Sequence, residues 1–178
     1  MNTQQEFSQQ IAHCREIFEK KTRDYGTSWR ILRLPSLTDQ ILIKANRIRS
    51  IEESGENRVG DDCRGEFAAI VNYAVMALIQ LQLPSDKDKE LPLEEALALY
   101  DTNIQAATQL MLDKNHDYGE AWRQMRISSM VDLILMKLKR IKQIEDNNGR
   151  TIISEGVDAN YTDIINYALF CLIRTSED

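Results

Sequence analysis

Long apolar runs are missing from this chain. No stretch approaches the roughly 18–20 residues needed to cross a bilayer, and Met1–Gln10 is too polar for a secretion signal. No membrane partner is expected. Cysteine is scarce as well. Cys14, Cys63 and Cys171 show no metal-binding spacing, and three thiols cannot all pair internally, so a reducing cytoplasm is the expected compartment. A basic surplus is absent too. With 22 Lys and Arg against 28 Asp and Glu, the net charge of −6 lacks the footprint of a general nucleic-acid binder. Alternation of period two is nowhere convincing, and the prolines and most glycines fall between helix-periodic segments. An all-α fold is what these absences leave.

What is present is a repeat. Lys21, Asp24-Tyr25-Gly26, Trp29-Arg30, Arg33, Ser36, Asp39, Lys44 and Arg47 return as Lys114, Asp117-Tyr118-Gly119, Trp122-Arg123, Arg126, Ser129, Asp132, Lys137 and Arg140. One ungapped shift of 93 residues superimposes them, with 16 identities over the 32 positions from Lys21 to Glu52. Chance gives roughly 2 at ordinary composition. Farther on, Asn72-Tyr73-Ala74 recurs as Asn166-Tyr167-Ala168 at a shift of 94. The pattern is a tandem duplication.

Apolar content of 43% and charged content of 28% suit a globular protein, and 178 residues fit one compact unit. Phe7, Ile11, Cys14, Ile17 and Phe18 predict a first helix over about Gln4–Arg23, ended by Gly26. Ser36 with Asp39 forms a capping-box pattern at the start of a second. A third, from roughly Asp61 to Leu83, is apolar nearly all round and so belongs at the centre. The second copy repeats the plan from Pro92, with a helix from Ser129 and a buried one over about Glu155–Ile173. Six helices result: repeat one at 1–83, a linker at 84–91 and repeat two at 92–178, related by a pseudo-twofold axis. The assembly is either a monomeric pseudo-dimer or a homodimer.

The repeated residues allow both functional and purely structural readings. Asp24 and Asp117 sit badly at a helix C-terminus, so a ligand role stands level with a helix-ending one. Tyr25, Tyr118, Trp29 and Trp122 either meet a base or pin the loop to the core. Asp39 and Asp132 fit a cap or a ligand. Lys21, Arg30, Arg33, Lys44 and Arg47, with Lys114, Arg123, Arg126, Lys137 and Arg140, are repeated cations in an acidic protein, which suggests phosphate binding. The alternative is a solvated face. Asn72 and Asn166 interrupt apolar helices, and register of the central helix pair is favoured over ligand contact. A Glu-x-x-Asp pair would chelate a hard cation such as Mg²⁺. Each copy holds half of one, as Glu66 opposite Asn160 and Asp163 opposite Ala69, and copy one adds Glu16-x-x-Glu19. His13 and His116 have no repeat counterparts.

The combination Lys-x-x-Asp-Tyr-Gly-x-x-Trp, the Asp-x-Ile-Leu-x-Lys-x-x-Arg-Ile helix and Asp-Ile-Ile-Asn-Tyr-Ala resembles the nucleotide modification associated domain 1 family of bacteria and phages, formerly a domain of unknown function. The resemblance spans both repeats. It implies a setting in nucleotide metabolism and, since phage members carry one copy, a fused dimer. More distantly the chain is similar to the all-α nucleoside triphosphate pyrophosphohydrolases of the MazG type. That resemblance implies Mg²⁺ held by Glu16 and Glu19 with Glu66, and by Asp163 in copy two. Ala69, Asn160, Gln109 and Leu112 depart from it. Three functions stay open: a Mg²⁺-dependent nucleotide hydrolase, a non-catalytic module that binds a nucleotide or a partner protein, and a scaffold.

Overall fold

A computed structural model describes residues 1–55, 63–84 and 89–177. The expected start of the third helix at Asp61, and the middle of the linker, lie outside the described residues. Six helices form, and among the described residues there is no strand: α1 Thr3–Tyr25, α2 Leu34–Ser54, α3 Cys63–Gln82, α4 Leu93–Tyr118, α5 Ile127–Asp146 and α6 Val157–Ser176. Single 3₁₀ turns at Ser28–Ile31 and Ala121–Gln124 precede α2 and α5. No described helix is long and apolar enough to cross a membrane.

The capping box lies elsewhere than expected. Asn2 accepts from the Gln5 amide at 2.9 Å, and the Gln5 side chain accepts from the Asn2 amide at 3.0 Å. The expected box at Ser36 and Asp39 does not form. α2 starts three residues before the point a Ser36 cap would set, with Arg33 at the cap, no side-chain bond and Pro35 well suited to the first turn. The α5 start repeats this with Arg126 at the cap, leaving Ser129 inside the first turn. Asp39 and Asp132 are thereby freed. Asp39 reaches Lys142 on α5 at 3.3 Å, and Asp132 reaches Arg49 on α2 at 3.8 Å. Both pairs are exposed and worth little energy. Their reciprocity is the informative part: equivalent positions exchange partners, as an isologous contact requires.

α3 and α6 pack most extensively on one another, each flanked by its own α2 or α5, which also touch. Phe67, Ile70, Val71 and Ile79 of α3 and Ile164, Ile165, Leu169 and Leu172 of α6 are fully buried. Helices apolar on all sides occupy the centre because no face of theirs gains from water. α1 packs against α6 as well as α3, and α4 against α3 as well as α6. A bidentate pair, Arg15 to Asp101 at 2.7 and 3.0 Å, joins α1 to α4.

The central asparagines do something other than register α3 against α6. Asn72 Nδ2 donates to the Cys14 carbonyl of α1 at 3.0 Å, and Asn166 Nδ2 donates to the Ala107 carbonyl of α4 at 3.1 Å. Each ties a central helix to the first helix of its own repeat. Tyr100 then donates to Asn72 Oδ1 at 2.7 Å. Phe7 stands at the equivalent place in copy one, and Asn166 Oδ1 is buried without a partner among the described residues.

Candidate binding pocket and its second copy

The end of α1 sets up the site. Lys21, Thr22 and Tyr25 lie in its last turns, and Gly26, at φ +68°, reverses the chain while donating to the Thr22 carbonyl at 2.8 Å. The backbone angle calls for glycine; a Cβ there would meet only the movable end of the Glu90 side chain, and the equivalent Gly119 has nearly the same angle with open space around it. The 3₁₀ turn then carries Trp29 into the core.

Gln80 on α3 fastens this loop. Its amide donates to the carbonyls of Arg30 at 2.8 Å and Leu32 at 2.9 Å, and its oxygen accepts from the Arg30 guanidinium. Arg30 is 3% exposed and also donates to the Lys89 carbonyl at 3.2 Å. Thr27 accepts from the Leu91 amide at 2.9 Å. In copy two Arg174 occupies the position of Gln80 and donates to the equivalent carbonyls, Arg123 at 3.0 Å and Met125 at 2.6 Å. Two different residues do one job, so a search for identities passes over them. Arg123 meets Glu6 at 3.1 Å and Glu120 at 2.7 Å instead. Arg30 and Arg123 therefore hold the loop, and the expectation that both grip phosphate does not survive.

Behind the loop lies a pocket of about 480 Å³ in copy one. Phe18, Trp29, Ala68 and Met76 supply apolar wall; Lys21, Lys44, Tyr25 and Tyr73 supply polar groups. Partial desolvation of a half-exposed ring, with Tyr73 and Asp24 adding, raises the Tyr25 phenol above its usual pKa. Copy two holds a pocket of about 310 Å³, and every residue lining it sits at a position equivalent to one lining the first. The repeated motif thus builds the same cavity twice.

Both tryptophans are buried walls rather than free stacking surfaces. Trp29 leans on Phe18 at 6.3 Å between ring centroids. Trp122 stacks on Phe170 at 4.3 Å and 5°, with the Arg123 guanidinium 4.4 Å from its centroid. The indole N–H of each is buried without a hydrogen-bond partner among the described residues, at equivalent positions. Such donors cost roughly 1–3 kcal/mol apiece.

The carboxylates expected to hold Mg²⁺ do not converge. Glu16 pairs with Lys20 at 2.7 Å and Glu19 with Arg23 at 3.1 Å along α1. Glu66, 4% exposed, is held by Arg47 and lies 3.6 Å from Lys44. Asp163 is held by Lys137 at 2.9 Å and Lys114 at 3.2 Å. Carboxylates already neutralised by two cations make a poor donor set for another, and among the described residues no three His, Cys, Asp or Glu side chains are grouped to hold a metal. The residues do not fit the ion.

The remaining candidates scatter. Asp24 and Asp117 are exposed, the latter 3.2 Å from His116 Nδ1. Arg33 and Arg126 are exposed at helix caps. Arg140 lines a separate cavity of about 750 Å³ between α5 and the start of α6, with Lys137, Arg150 and Asn160. Cys14, Cys63 and Cys171 are all free, and burial pushes the Cys14 thiol up to about 12.

No curated protein and no solved structure matches the chain. A model of the nucleotide modification associated domain 1 family matches residues 21–81 and, again, residues 114–175. The two matched segments begin at the equivalent lysines Lys21 and Lys114, carry the Tyr-Gly loop and its pocket, and cover more than half of the sequence. The chain belongs to the nucleotide modification associated domain 1 family.

Proposed function

We propose that this protein binds a nucleotide without cleaving it, as a fused pair of units related by a half-turn, and that the pocket of copy one is the site. The observation that carries the reading is the pocket itself. An apolar cavity of about 480 Å³ with two lysines and two tyrosines at hand is of ordinary size for a small ligand. Its chemistry suits a nucleotide: ring systems prefer the Phe18 and Met76 wall, and phosphate prefers Lys21 and Lys44. Metal-assisted hydrolysis has no comparable support, because Glu66 is engaged with Arg47 and Lys44.

The test is a panel of nucleoside mono-, di- and triphosphates, with and without Mg²⁺, followed by thermal melting and by assay of released phosphate and pyrophosphate. Ligand at a hundredfold excess over Kd adds about 2.7 kcal/mol, so a rise of several degrees in Tm is expected for the right nucleotide, with no product released. Lys21→Ala with Lys44→Ala should weaken binding at least tenfold. A panel that shifts nothing sinks the proposal. Turnover would return the hydrolase in its place.

A further inference from the structure

We infer that the anion position of the second pocket is taken by the chain's own Asp163 carboxylate, and that Asp163 marks where the anionic group of a ligand sits in the first. This rests on the assignment of the copy-one pocket as the binding site. Lys114 and Lys137 are the equivalents of Lys21 and Lys44, and both close on Asp163, at 3.2 and 2.9 Å. The position of Asp163 in copy one is Ala69, which lines the pocket but brings no charge. Among the described residues Lys21 has no carboxylate within ion-pair distance, and Lys44 has Glu66 only at 3.6 Å. Copy one therefore keeps the two cations but has no carboxylate at the Asp163 position; its own Glu66, one turn earlier on α3, is held by Arg47 and reaches only Lys44 of the pair. The apolar side changes in the same sense. Phe170 stands where copy one has Met76 and lies flat on Trp122, and the cavity shrinks from about 480 to about 310 Å³.

The consequence is one ligand per chain, with a single phosphate or carboxylate group bridging Lys21 and Lys44. In a nucleotide that group is the phosphate next to the sugar, since the apolar wall directly behind it takes the ring. The Asp163 carboxylate is held between the two lysines, and Asp163→Ala leaves a vacancy the size of a formate ion.

Titration calorimetry with nucleoside monophosphates and with inorganic phosphate measures the stoichiometry. The wild type should bind one equivalent. Ala69→Asp should lose at least tenfold in affinity, and Asp163→Ala combined with Phe170→Met should bind two. Asp163→Ala alone should melt several degrees lower and recover in formate more than the wild type does, which keeps the idea testable if the double variant fails to fold. Two equivalents in the wild type, or unchanged affinity in Ala69→Asp, would overturn it while leaving the nucleotide reading intact. Inorganic phosphate that stabilises the wild type but not Ala69→Asp, with no nucleotide doing so, would keep the anion assignment and remove the nucleotide. If neither phosphate nor nucleotide binds the wild type, both fall.

Discussion

At the scale of single residues, the differences between the copies say more than their identities. Tyr100 satisfies Asn72 Oδ1, whereas Phe7, its equivalent, leaves Asn166 Oδ1 buried without a partner among the described residues. Phe7→Tyr should supply the missing hydroxyl and stabilise the protein by about 1 kcal/mol, and Tyr100→Phe should cost about 1–3 kcal/mol. Chemical denaturation of the two variants checks both, and a loss from Phe7→Tyr would show that the site has no room for the oxygen. Glu145 gives a pH-dependent case. Burial raises its carboxyl pKa, with Asp39 and Asp146 adding, against the pull of the Thr38 hydroxyl and Lys142. A carboxyl raised in the folded state contributes stability below its ordinary pKa and loses it as pH rises through the raised value. Glu145→Gln should therefore raise Tm by a few degrees at pH 7–8, with the gain fading towards pH 4. A gain independent of pH would point to packing instead. The repeat singled out Lys21, Tyr25 and Gly26 with Lys114, Tyr118 and Gly119, and these line the two cavities; Tyr73 and Tyr167, which line them too, stand out only as part of the repeated Asn-Tyr-Ala. It had no means to separate Arg30, sunk against Gln80, from Arg33 at an exposed cap, because both are identities in the repeat.

At the scale of elements, the six helices were legible because apolar residues recur at helical spacing and glycine or proline stands near most ends. Their starts were less so. α2 begins at Leu34 and α5 at the equivalent Ile127, so a Ser-x-x-Asp pattern that reads as a cap falls across the first two turns of each helix. The loop between α1 and α2 depends on a residue far away, Gln80, which nothing local announces. Gln80→Ala should destabilise by roughly 2–4 kcal/mol, since two carbonyls and a buried guanidinium lose partners together. Because Trp29 rides on that loop, the same variant should change its fluorescence in the native state. A variant as stable as wild type would mean that water or a neighbour replaces the amide without loss.

At the scale of the molecule, the duplication is read directly from the sequence, but the way its halves share a core is not. Neither repeat keeps its first helix to itself: α1 lies on α6 and α4 on α3. Phe7 meets Phe170 at 5.9 Å, and Tyr100 sits 4.6 Å from Phe18. Such crossed packing makes two small lobes into one hydrophobic interior, which neither lobe would supply at that size. It also sets a timetable for synthesis. The apolar side of α1 that Phe7 carries cannot meet its destination until about 160 further residues have been made, a delay of roughly 8–30 s at ordinary ribosomal rates. Through that interval the nascent chain displays an unfinished core, and a second growing copy nearby carries the α6 that the first one still lacks.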